Sequence, residues 1–235
     1  MKAVFLDLES LDFGDLNLAS LQGEFSRFIG YAETSPEQVA ERIADAEVVV
    51  VNKVLLTAEL LVQAPALKLI CVAATGTNNV DLQTARRQGI LVVNCQAYGT
   101  ASVVQHVMTL MLALHTNLIA YHTAVQAGDW GRSKQFCLLD FPIQELAGKT
   151  LGIIGYGNLG AGVAKIAEAF GMQVLIAQRG QAPQAGRMPL AQLLPQVDVL
   201  SLHCPLTKET ENLIDSRALA LMKPGAFLIN AARGG

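Results

Sequence analysis

Residues 151–160, LGIIGYGNLG, decide the fold, because a short apolar run leads directly into a glycine-rich turn. Residues 151–154 predict a buried strand, and residues 161–170 have the alanine-rich, apolar pattern of a helix. A Gly-x-Gly-x-x-Gly turn between a strand and a helix is typical of loops that bind dinucleotides. The alternative at this level is an ordinary glycine turn in another kind of α/β unit.

Each glycine of this turn has its own expected task. Gly155 permits the tight turn, Gly157 leaves space for a pyrophosphate group, and Gly160 lets the helix pack closely against the strand. The free N–H groups and the dipole at the start of the helix favour the negative charge of the pyrophosphate. The predicted cofactor-binding loop therefore consists of Gly155, Tyr156, Gly157, Asn158, Leu159 and Gly160.

The composition argues against several other classes of protein. The 235 residues carry a net charge of −3 and 16% charged residues, so no basic surface for nucleic acid is expected. No apolar run reaches the roughly 18 residues of a membrane-spanning helix. Asp7 and Glu9 interrupt the N-terminal segment, which lacks the apolar core of a signal peptide. We expect a cytoplasmic protein without a nucleic-acid or membrane partner.

The cysteines do not indicate a metal site. There are 4 of them, far apart in sequence and without the spacing of metal ligands: Cys71, Cys95, Cys137 and Cys204. Cys71 ends one predicted strand and Cys95 follows another, so these two are interpreted as buried free thiols. No metal is expected in the protein.

The first hundred residues alternate between predicted strands and predicted helices. Helix starts are marked by Ser35-Pro36 and by Asp81, because these residues are favoured at the first positions of a helix. Strands are expected at residues 3–6, 25–29, 47–52, 67–73 and 90–94. This alternation predicts βαβ units with a parallel sheet, in a first α/β domain that ends near Tyr98.

A long helix and a loop are expected between this domain and the glycine-rich unit. Residues 100–120 are apolar almost all round, so their helix is predicted to be buried between domains or at a subunit contact. Residues 121–149 have no clear period and predict a surface loop. The second domain is expected to have strands at residues 151–154, 173–177, 197–203 and 226–230 and a helix at 216–222. A Rossmann sheet usually has about six strands, so the chain is expected to stop within this domain.

Three further stretches carry a family resemblance: residues 73–81 (AATGTNNVD), 198–206 (DVLSLHCPL) and 222–234 (MKPGAFLINAARG). Together with residues 155–160 they resemble the signatures of the D-isomer-specific 2-hydroxyacid dehydrogenases. The first stretch is similar to the substrate loop of that family, and the glycine turn is similar to its cofactor loop. The resemblance covers nearly the whole chain.

Shorter motifs are similar to one branch of the family, the glycerate dehydrogenases or hydroxypyruvate reductases: residues 102–106 (SVVQH), 128–130 (GDW), 136–137 (FC) and 140–143 (DFPI). The resemblance implies an NAD(P)-dependent oxidoreductase. Its reaction would transfer hydride between a nicotinamide and a small 2-oxo or 2-hydroxy acid. Hydroxypyruvate/D-glycerate and glyoxylate are the expected substrates.

The resemblance also implies an α/β architecture of two domains. Residues 1–99 would form a flavodoxin-like substrate domain that lacks its C-terminal completing segment. Residues 100–235 would form a Rossmann dinucleotide-binding domain, truncated after its fourth strand. Members of the family are usually homodimers through the nucleotide-binding domain, and residues 100–149 are the expected contact region.

By the same resemblance, Arg233 is the catalytic arginine and contacts the carboxylate and the 2-oxo group of the substrate. A planar, permanently charged guanidinium suits bidentate carboxylate binding and stabilises charge on the carbonyl that is reduced. Thr75 and Gly76 would hold the carboxylate through backbone N–H groups. The alternatives are a surface arginine and an ordinary glycine turn. The predicted substrate-binding residues are Thr75, Gly76, Gly99, Asn52 and Lys53.

Gln178 and Arg179 bear on the choice between NAD and NADP. An NAD-preferring site has Asp or Glu at the end of the second strand, and the matching position here is Gln178. Glutamine does not repel a 2′-phosphate, and Arg179 could bind one, so NADP is slightly favoured. The alternative is that Arg179 only stacks on the adenine while NAD is used. The remaining predicted cofactor-binding residues are Thr100, His203, Cys204, Pro205, Thr210, Ala231 and Ala232.

The proton donor is where the chain departs from the family pattern. The His and Glu that transfer the proton lie beyond the arginine in the family, so the chain as given is expected to be catalytically impaired. His106 is interpreted as a core residue, and His115 as a helix-end or surface residue. Two other functions remain open: a dinucleotide-sensing binding module of the corepressor type, and a catalytically incomplete fragment of the enzyme.

Overall fold

A computed structural model describes residues 1–180 and 182–234 of the chain. The chain divides into two compact units, Met1–Gln96 and Ala97–Gly235. Each unit is built around one parallel β-sheet with helices packed against it. The class is therefore α/β, as predicted from the alternation of strands and helices.

The first unit has five parallel strands: β1 (Lys2–Phe5), β2 (Arg27–Gly30), β3 (Val48–Val51), β4 (Leu69–Val72) and β5 (Leu91–Asn94). Their order in the sheet is β2-β1-β3-β4-β5, which is the flavodoxin-like order expected from the resemblance. In the register, Val49 lies opposite both Val4 and Ile70. These three side chains are fully buried in the core of the unit.

Four helices connect these strands: α1 (Ala19–Gly23), α2 (Pro36–Ile43), α3 (Ala58–Val62) and α4 (Leu82–Arg87). The starts of α3 and α4 are fixed by the side chains of Thr57 and Asp81, which accept hydrogen bonds from backbone N–H groups one turn later. Val39 and Ile43 of α2 are almost completely buried against the sheet.

The sheet of the second unit also has parallel strands only: β6 (Thr150–Ile154), β7 (Gln173–Ile176), β8 (Val199–Leu202) and β9 (Phe227–Asn230). Their order is β7-β6-β8-β9. The helices of this unit are α5 (Thr100–His115), α6 (Leu118–Gln126), α7 (Asp129–Arg132), α8 (Asn158–Ala169), α9 (Leu190–Leu193) and α10 (Ser216–Leu221).

Close contact between α5 and α8 forms the core on one side of this sheet. A Cβ atom at Gly162 would lie 2.7 Å from Cγ2 of Val104, so the two helices approach more closely than an alanine would allow. Val107, Val163 and Ala167 are completely buried beside this contact.

The prediction of one helix over residues 100–120 was wrong. Helix α5 ends at His115, because Asn117 adopts the left-handed conformation with φ +50°. Helix α6 then starts at Leu118 and lies at 64° to α5. The prediction of a loop over residues 121–149 was also wrong in part, since α6 continues to Gln126 and α7 follows.

The burial of α5 differs from the expected pattern as well. Its buried residues follow one helical face, from Val104 to His115, and Leu110 is exposed on another face. His106 is exposed, so its prediction as a core residue was wrong. His115 is the last residue of α5, which agrees with the predicted helix-end position, but it is only 3% exposed and therefore not a surface residue. His106 points away from the buried face, whereas His115 continues it with the spacing of a helix.

The four cysteines are free thiols, but two of them differ from expectation in their burial. Cys71, in β4, is half-buried. Cys95 is exposed, because it follows β5, which forms an edge of the first sheet. Within residues 1–180 and 182–234, no single helix has the length and apolar composition needed to cross a membrane; α5 and α6 would meet these criteria only as a bent pair.

Candidate functional site

The carboxyl edge of the second sheet brings together loops that are far apart in the sequence. Because the strands are parallel, the segments that follow β6, β7, β8 and β9 all begin at this edge. The chain passes from β7 on one side of β6 to β8 on the other side. Ligands of open α/β sheets bind at such a change of direction, outside the carboxyl ends of the strands.

Two glycines of the turn after β6 cannot be replaced without strain. Gly155 has φ +93°, and a Cβ atom there would lie 2.5 Å from the backbone N of Cys204. A Cβ atom at Gly160 would lie 2.2 Å from the carbonyl oxygen of Gly155. The loop after β8 and the start of α8 therefore pack directly on this turn.

Gly157 differs from these two glycines, because its surroundings do not explain the missing side chain. A Cβ atom there would have no described atom within 4 Å. Its φ of −97° is open to any residue, so backbone conformation does not require glycine either. The absent side chain leaves open space at the N-terminus of α8.

The start of α8 has the features of an anion site. Asn158 is the first residue of this helix of 12 residues, and no acidic residue lies in its first turn. The first N–H groups of an α-helix have no partner within the helix, and its dipole is positive at this end. The turn and helix together fit a pyrophosphate group.

The end of β7 carries no carboxylate. Gln178 donates its backbone N–H to the carbonyl of Met188 at 2.9 Å, and its side chain donates to the carbonyl of Gly180 at 3.2 Å. Arg179 is exposed beside it. A hydrogen bond from the Thr207 hydroxyl is the main cause that lowers the pKa of Glu209. The positive charge of Arg179 makes a smaller contribution in the same direction.

The end of β8 is packed tightly against the glycine turn. His203 donates its backbone N–H to the carbonyl of Ile154 at 2.7 Å, and its Nε2 lies 2.9 Å from the hydroxyl oxygen of Ser201. Burial lowers the pKa of His203 below its ordinary value. Nδ1 of His203 is buried and has no hydrogen-bond partner among the residues described. Burial also raises the pKa of the Cys204 thiol.

Pro205 and Thr210 belong to the loop that follows, and the loop is closed by its own side chains. The hydroxyl of Thr210 donates to the carbonyl of Pro205 at 2.6 Å and accepts from the N–H of Thr207 at 2.8 Å. The hydroxyl of Thr210 therefore already has both a donor and an acceptor within this loop.

The end of β9 presents Arg233 on a short braced loop. The amide of Asn230 donates to the carbonyl of Arg233 at 2.9 Å and accepts from the N–H of Ala232 at 3.0 Å. The Arg233 side chain is exposed and donates to the carbonyl of Ala232. It forms no ion pair within residues 1–180 and 182–234, so its charge is available for an anion. The backbone N–H of Ala231 donates to the carbonyl of Leu202, the last residue of β8.

Four of the five predicted substrate residues, Asn52, Lys53, Thr75 and Gly76, lie in the first unit, also at the carboxyl edge of its sheet. Asn52 and Lys53 follow β3, and both are fixed by Asp7 at the end of β1. The Asp7 carboxylate, which is 6% exposed, accepts from the N–H groups of Asn52 at 2.9 Å, Lys53 at 2.5 Å and Val54 at 3.1 Å. The amide of Asn52 donates to Ser10, whereas the Lys53 side chain is exposed.

Thr75 and Gly76 follow β4 in an open turn. The carbonyl of Thr75 accepts from the amide of Asn94 at 2.7 Å, which ties the turn to the end of β5. Among the described residues, the backbone N–H groups of Thr75 and Gly76 donate to no backbone carbonyl. The role of these donors in carboxylate binding stays a prediction.

Gly99 and Thr100 lie at the start of α5 in the second unit. Gly99 caps the helix, and the hydroxyl of Thr100 donates to the carbonyl of Ala97 at 3.0 Å. A Cβ atom at Gly162 would lie 3.5 Å from Cγ2 of Thr100, which places the start of α5 beside the first turns of α8.

Sequence reasoning missed Asp7, and it also missed Arg187, whose guanidinium carbon lies 5.9 Å from the ring centre of Tyr156. For Asp7 a signal was present, because a carboxylate directly after a buried strand points to a polar network at the sheet edge. For Arg187 the local sequence offers no comparable signal.

Comparison with known proteins places these features in context. Residues 108–235 match the family model described as D-isomer specific 2-hydroxyacid dehydrogenase, NAD binding domain. The chain is 47% identical over 234 residues to a glycerate dehydrogenase of Methylorubrum extorquens, covering 100% of this chain and 73% of that protein. It is 39% identical over 241 residues to a hydroxypyruvate reductase of Blautia hydrogenotrophica, covering 100% of this chain and 75% of that protein.

A solved structure of a related dehydrogenase is also similar to this chain. A crystal structure of D-lactate dehydrogenase from Aquifex aeolicus, complexed with NAD and lactic acid, is similar with a TM-score of 0.81 and 33% identity. The similarity covers 100% of this chain and 69% of that structure.

Proposed function

We propose that this chain, which belongs to the D-isomer-specific 2-hydroxyacid dehydrogenase family, transfers hydride between a nicotinamide dinucleotide and a small 2-oxo or 2-hydroxy acid. Hydroxypyruvate/D-glycerate is the proposed substrate pair, with glyoxylate as a second 2-oxo acid. The relatives named glycerate dehydrogenase and hydroxypyruvate reductase support this choice.

The observation that carries the proposal is the open space at Gly157. Strain and crowding account for Gly155 and Gly160, whereas neither accounts for Gly157. A dinucleotide pyrophosphate needs this space, because its oxygens must approach the first N–H groups of α8. The bound nicotinamide supplies the hydride chemistry, and the protein binds and orients both reactants.

Two groups, each within its own unit, are proposed to bind carboxylates: Arg233 in the second unit and the turn after β4 in the first. The Arg233 guanidinium is exposed, unpaired among the described residues, and suited to a carboxylate and an adjacent 2-oxo oxygen. Free backbone N–H groups at Thr75 and Gly76 support carboxylate binding by that turn. The backbone N–H of Lys53 donates to Asp7, and the exposed Lys53 side chain adds a further positive charge in the first unit.

NADP(H) is the proposed preferred cofactor. Gln178 offers no carboxylate for the ribose hydroxyls, and the neighbouring Arg179 offers a positive charge for a 2′-phosphate. A cytoplasmic location is part of the same proposal, and the free state of all four cysteines supports a reducing compartment.

A homodimer is proposed through the second unit. Helices α6 and α7 and the segment after them expose many large apolar side chains: Leu118, Ile119, Trp130, Phe136, Leu139 and Ile143. Several large exposed apolar side chains in one region of the chain favour a protein–protein interface there. Sedimentation analysis tests this point, because the proposal requires a mass of twice 25.0 kDa.

The activity is tested by following nicotinamide absorbance after adding hydroxypyruvate or glyoxylate with NADPH or NADH. Oxidation of the cofactor that depends on the 2-oxo acid is the expected result. Binding of dinucleotide without turnover of any small 2-oxo acid would favour a dinucleotide-sensing module instead.

A further inference from the structure

The segment that follows β7 contains a second arginine at the same edge as Arg179. Residues Ala177 and Met188 form a parallel bridge, with the N–H of Met188 donating to Ile176 at 3.0 Å and the N–H of Gln178 donating to Met188 at 2.9 Å. Met188 therefore lies on the outer side of β7, opposite β6. Arg187, the residue before it, is fixed beside the end of β7.

The side chain of Arg187 reaches back towards the glycine turn. Its guanidinium carbon lies 5.9 Å from the ring centre of Tyr156, which belongs to the turn after β6. The backbone of Arg187 lies on the side of β7 that faces away from β6, whereas Tyr156 follows β6. The Arg187 side chain therefore extends over the carboxyl end of β7. The 2′ position of a bound adenosine ribose is recognised at this end of the second strand.

Gln184 connects the two arginines through the backbone. Its side chain accepts from the N–H of Arg179 and donates to the carbonyl of Arg179, both at 3.2 Å. Its own carbonyl accepts from the N–H of Arg187 at 3.1 Å. The backbones of Arg179 and Arg187 are thus both hydrogen-bonded to Gln184.

The electrostatics of Arg187 suit an anionic ligand. Arg187 is half-buried and forms no ion pair within residues 1–180 and 182–234. The ring of Tyr156 stabilises a cation weakly at this distance and leaves the N–H donors of the guanidinium free. A half-buried arginine without a carboxylate retains strong affinity for a phosphate.

We propose that Arg187, positioned over Tyr156, is a second determinant of 2′-phosphate recognition and acts with Arg179 as a two-arginine clamp on NADP(H). This inference rests on the proposed function, in which this edge binds a nicotinamide dinucleotide. The position at the end of β7, where Gln178 and Arg179 lie, does not indicate Arg187, because Arg187 follows the end of β7 by more than ten residues.

Equilibrium binding tests the clamp without any need for turnover. The dissociation constants of NADPH and NADH are measured by nicotinamide fluorescence for the unaltered protein, Arg179→Ala, Arg187→Ala and the double variant. Arg217→Ala is the matched control, because it removes an exposed arginine of the same unit. Thermal unfolding of each variant verifies that the fold is intact.

For Arg187→Ala we expect NADPH to bind about tenfold more weakly and NADH to change by less than about twofold, since one charge-assisted contact is lost. The double variant should bind both cofactors with similar affinity. An equal loss for both cofactors, or no loss for either, would overturn the role of Arg187.

The proposed function fails in a different way. If the unaltered protein binds neither cofactor, dinucleotide binding at this edge is wrong, and the clamp is overturned with it. If it binds NADH at least as tightly as NADPH, the preference for NADP(H) is wrong. A selective loss of NADPH affinity in Arg187→Ala would still support the clamp in that case.

Discussion

At the scale of single residues, the three glycines of one turn have different physical reasons to be glycine. Gly155 needs its positive φ, and Gly160 has no room for a methyl group because the carbonyl of Gly155 is too close. Gly157 has both a permissive backbone and free space. Substitution at Gly157 therefore separates cofactor binding from folding.

We expect Gly157→Ala to leave thermal stability almost unchanged and to weaken binding of both NADPH and NADH by about tenfold or more, since the methyl group occupies the pyrophosphate position. Fluorescence titration measures the affinity. Gly131→Ala is the control, because a Cβ atom there also has no described neighbour within 4 Å. Unchanged affinity in Gly157→Ala would mean that the space serves no ligand.

Asp7 provides a second prediction at this scale. An asparagine in its place has one carbonyl oxygen for the three backbone N–H groups that the carboxylate now binds. We expect Asp7→Asn to lower the free energy of unfolding by about 2–3 kcal/mol, because a buried charge-assisted network loses acceptors. Urea denaturation measures the change, with the exposed Asp140→Asn as control. Equal stability of the two variants would contradict this account of Asp7.

His203 makes stability depend on pH. Burial lowers its pKa below the ordinary 6.5, so the folded protein holds the ring neutral while the unfolded chain takes up a proton as the pH falls. The unfolded state then binds more protons, and stability decreases on acidification through this range.

We expect the loss of stability between about pH 7.5 and about pH 5.5 to be smaller in His203→Gln than in the unaltered protein. Urea denaturation at the two pH values gives the comparison. Ser201→Ala serves as a control that removes the hydrogen-bond partner and keeps the ring. An identical pH dependence in His203→Gln and the unaltered protein would contradict the prediction.

From the sequence, a role could be proposed for a residue only where a motif or a resemblance marks it. The glycine turn and Arg233 belong to such stretches. Asp7 and its partner Asn52 are 45 positions apart, and only the register of β1 beside β3 brings them together. Arg187 depends in the same way on a bridge that extends the sheet beyond β7.

At the scale of secondary-structure elements, the central strands β1, β3, β6 and β8 were predicted well because each is a short, mostly apolar run that is buried in a parallel sheet. The helices were predicted less well where a single residue ends them. Asn117 interrupts the helix predicted over residues 100–120 because it adopts a left-handed conformation. The pattern of apolar residues gives no sign of this backbone change. Tertiary contacts decide such breaks.

The contact between α5 and α8 yields a prediction at this scale. We expect Gly162→Ala to lower the free energy of unfolding by about 1–3 kcal/mol, because its methyl group would overlap Val104. The same substitution should cost much less when Val104 is already alanine, since the overlapping Cγ2 atom is then absent. Chemical denaturation of the four proteins completes the cycle, and strictly additive effects would contradict the packing described.

At the scale of the whole molecule, the two α/β units follow the architecture that the family resemblance implies. The family resemblance and the strand pattern are sufficient to predict the order β2-β1-β3-β4-β5 of the first sheet and the parallel strands of the second sheet. The exposed apolar surface of α6 and α7 was not evident from the sequence, because residues 118–120 continue the apolar run of α5 and residues 121–149 lack a clear helical period. It emerges only when the structure assigns α6 and α7 to that region.

The central claim is that a small 2-oxo acid binds to Arg233 when the dinucleotide is present. The most direct test is calorimetric titration of hydroxypyruvate into the protein saturated with NADP⁺, where both partners are oxidised and no hydride transfer occurs. Arg233→Gln is compared with Arg217→Gln as a matched control. The account predicts saturable binding that Arg233→Gln weakens by about tenfold or more while NADP⁺ affinity is unchanged. Absence of saturable binding, or equal affinity in Arg233→Gln and the unaltered protein, would contradict it.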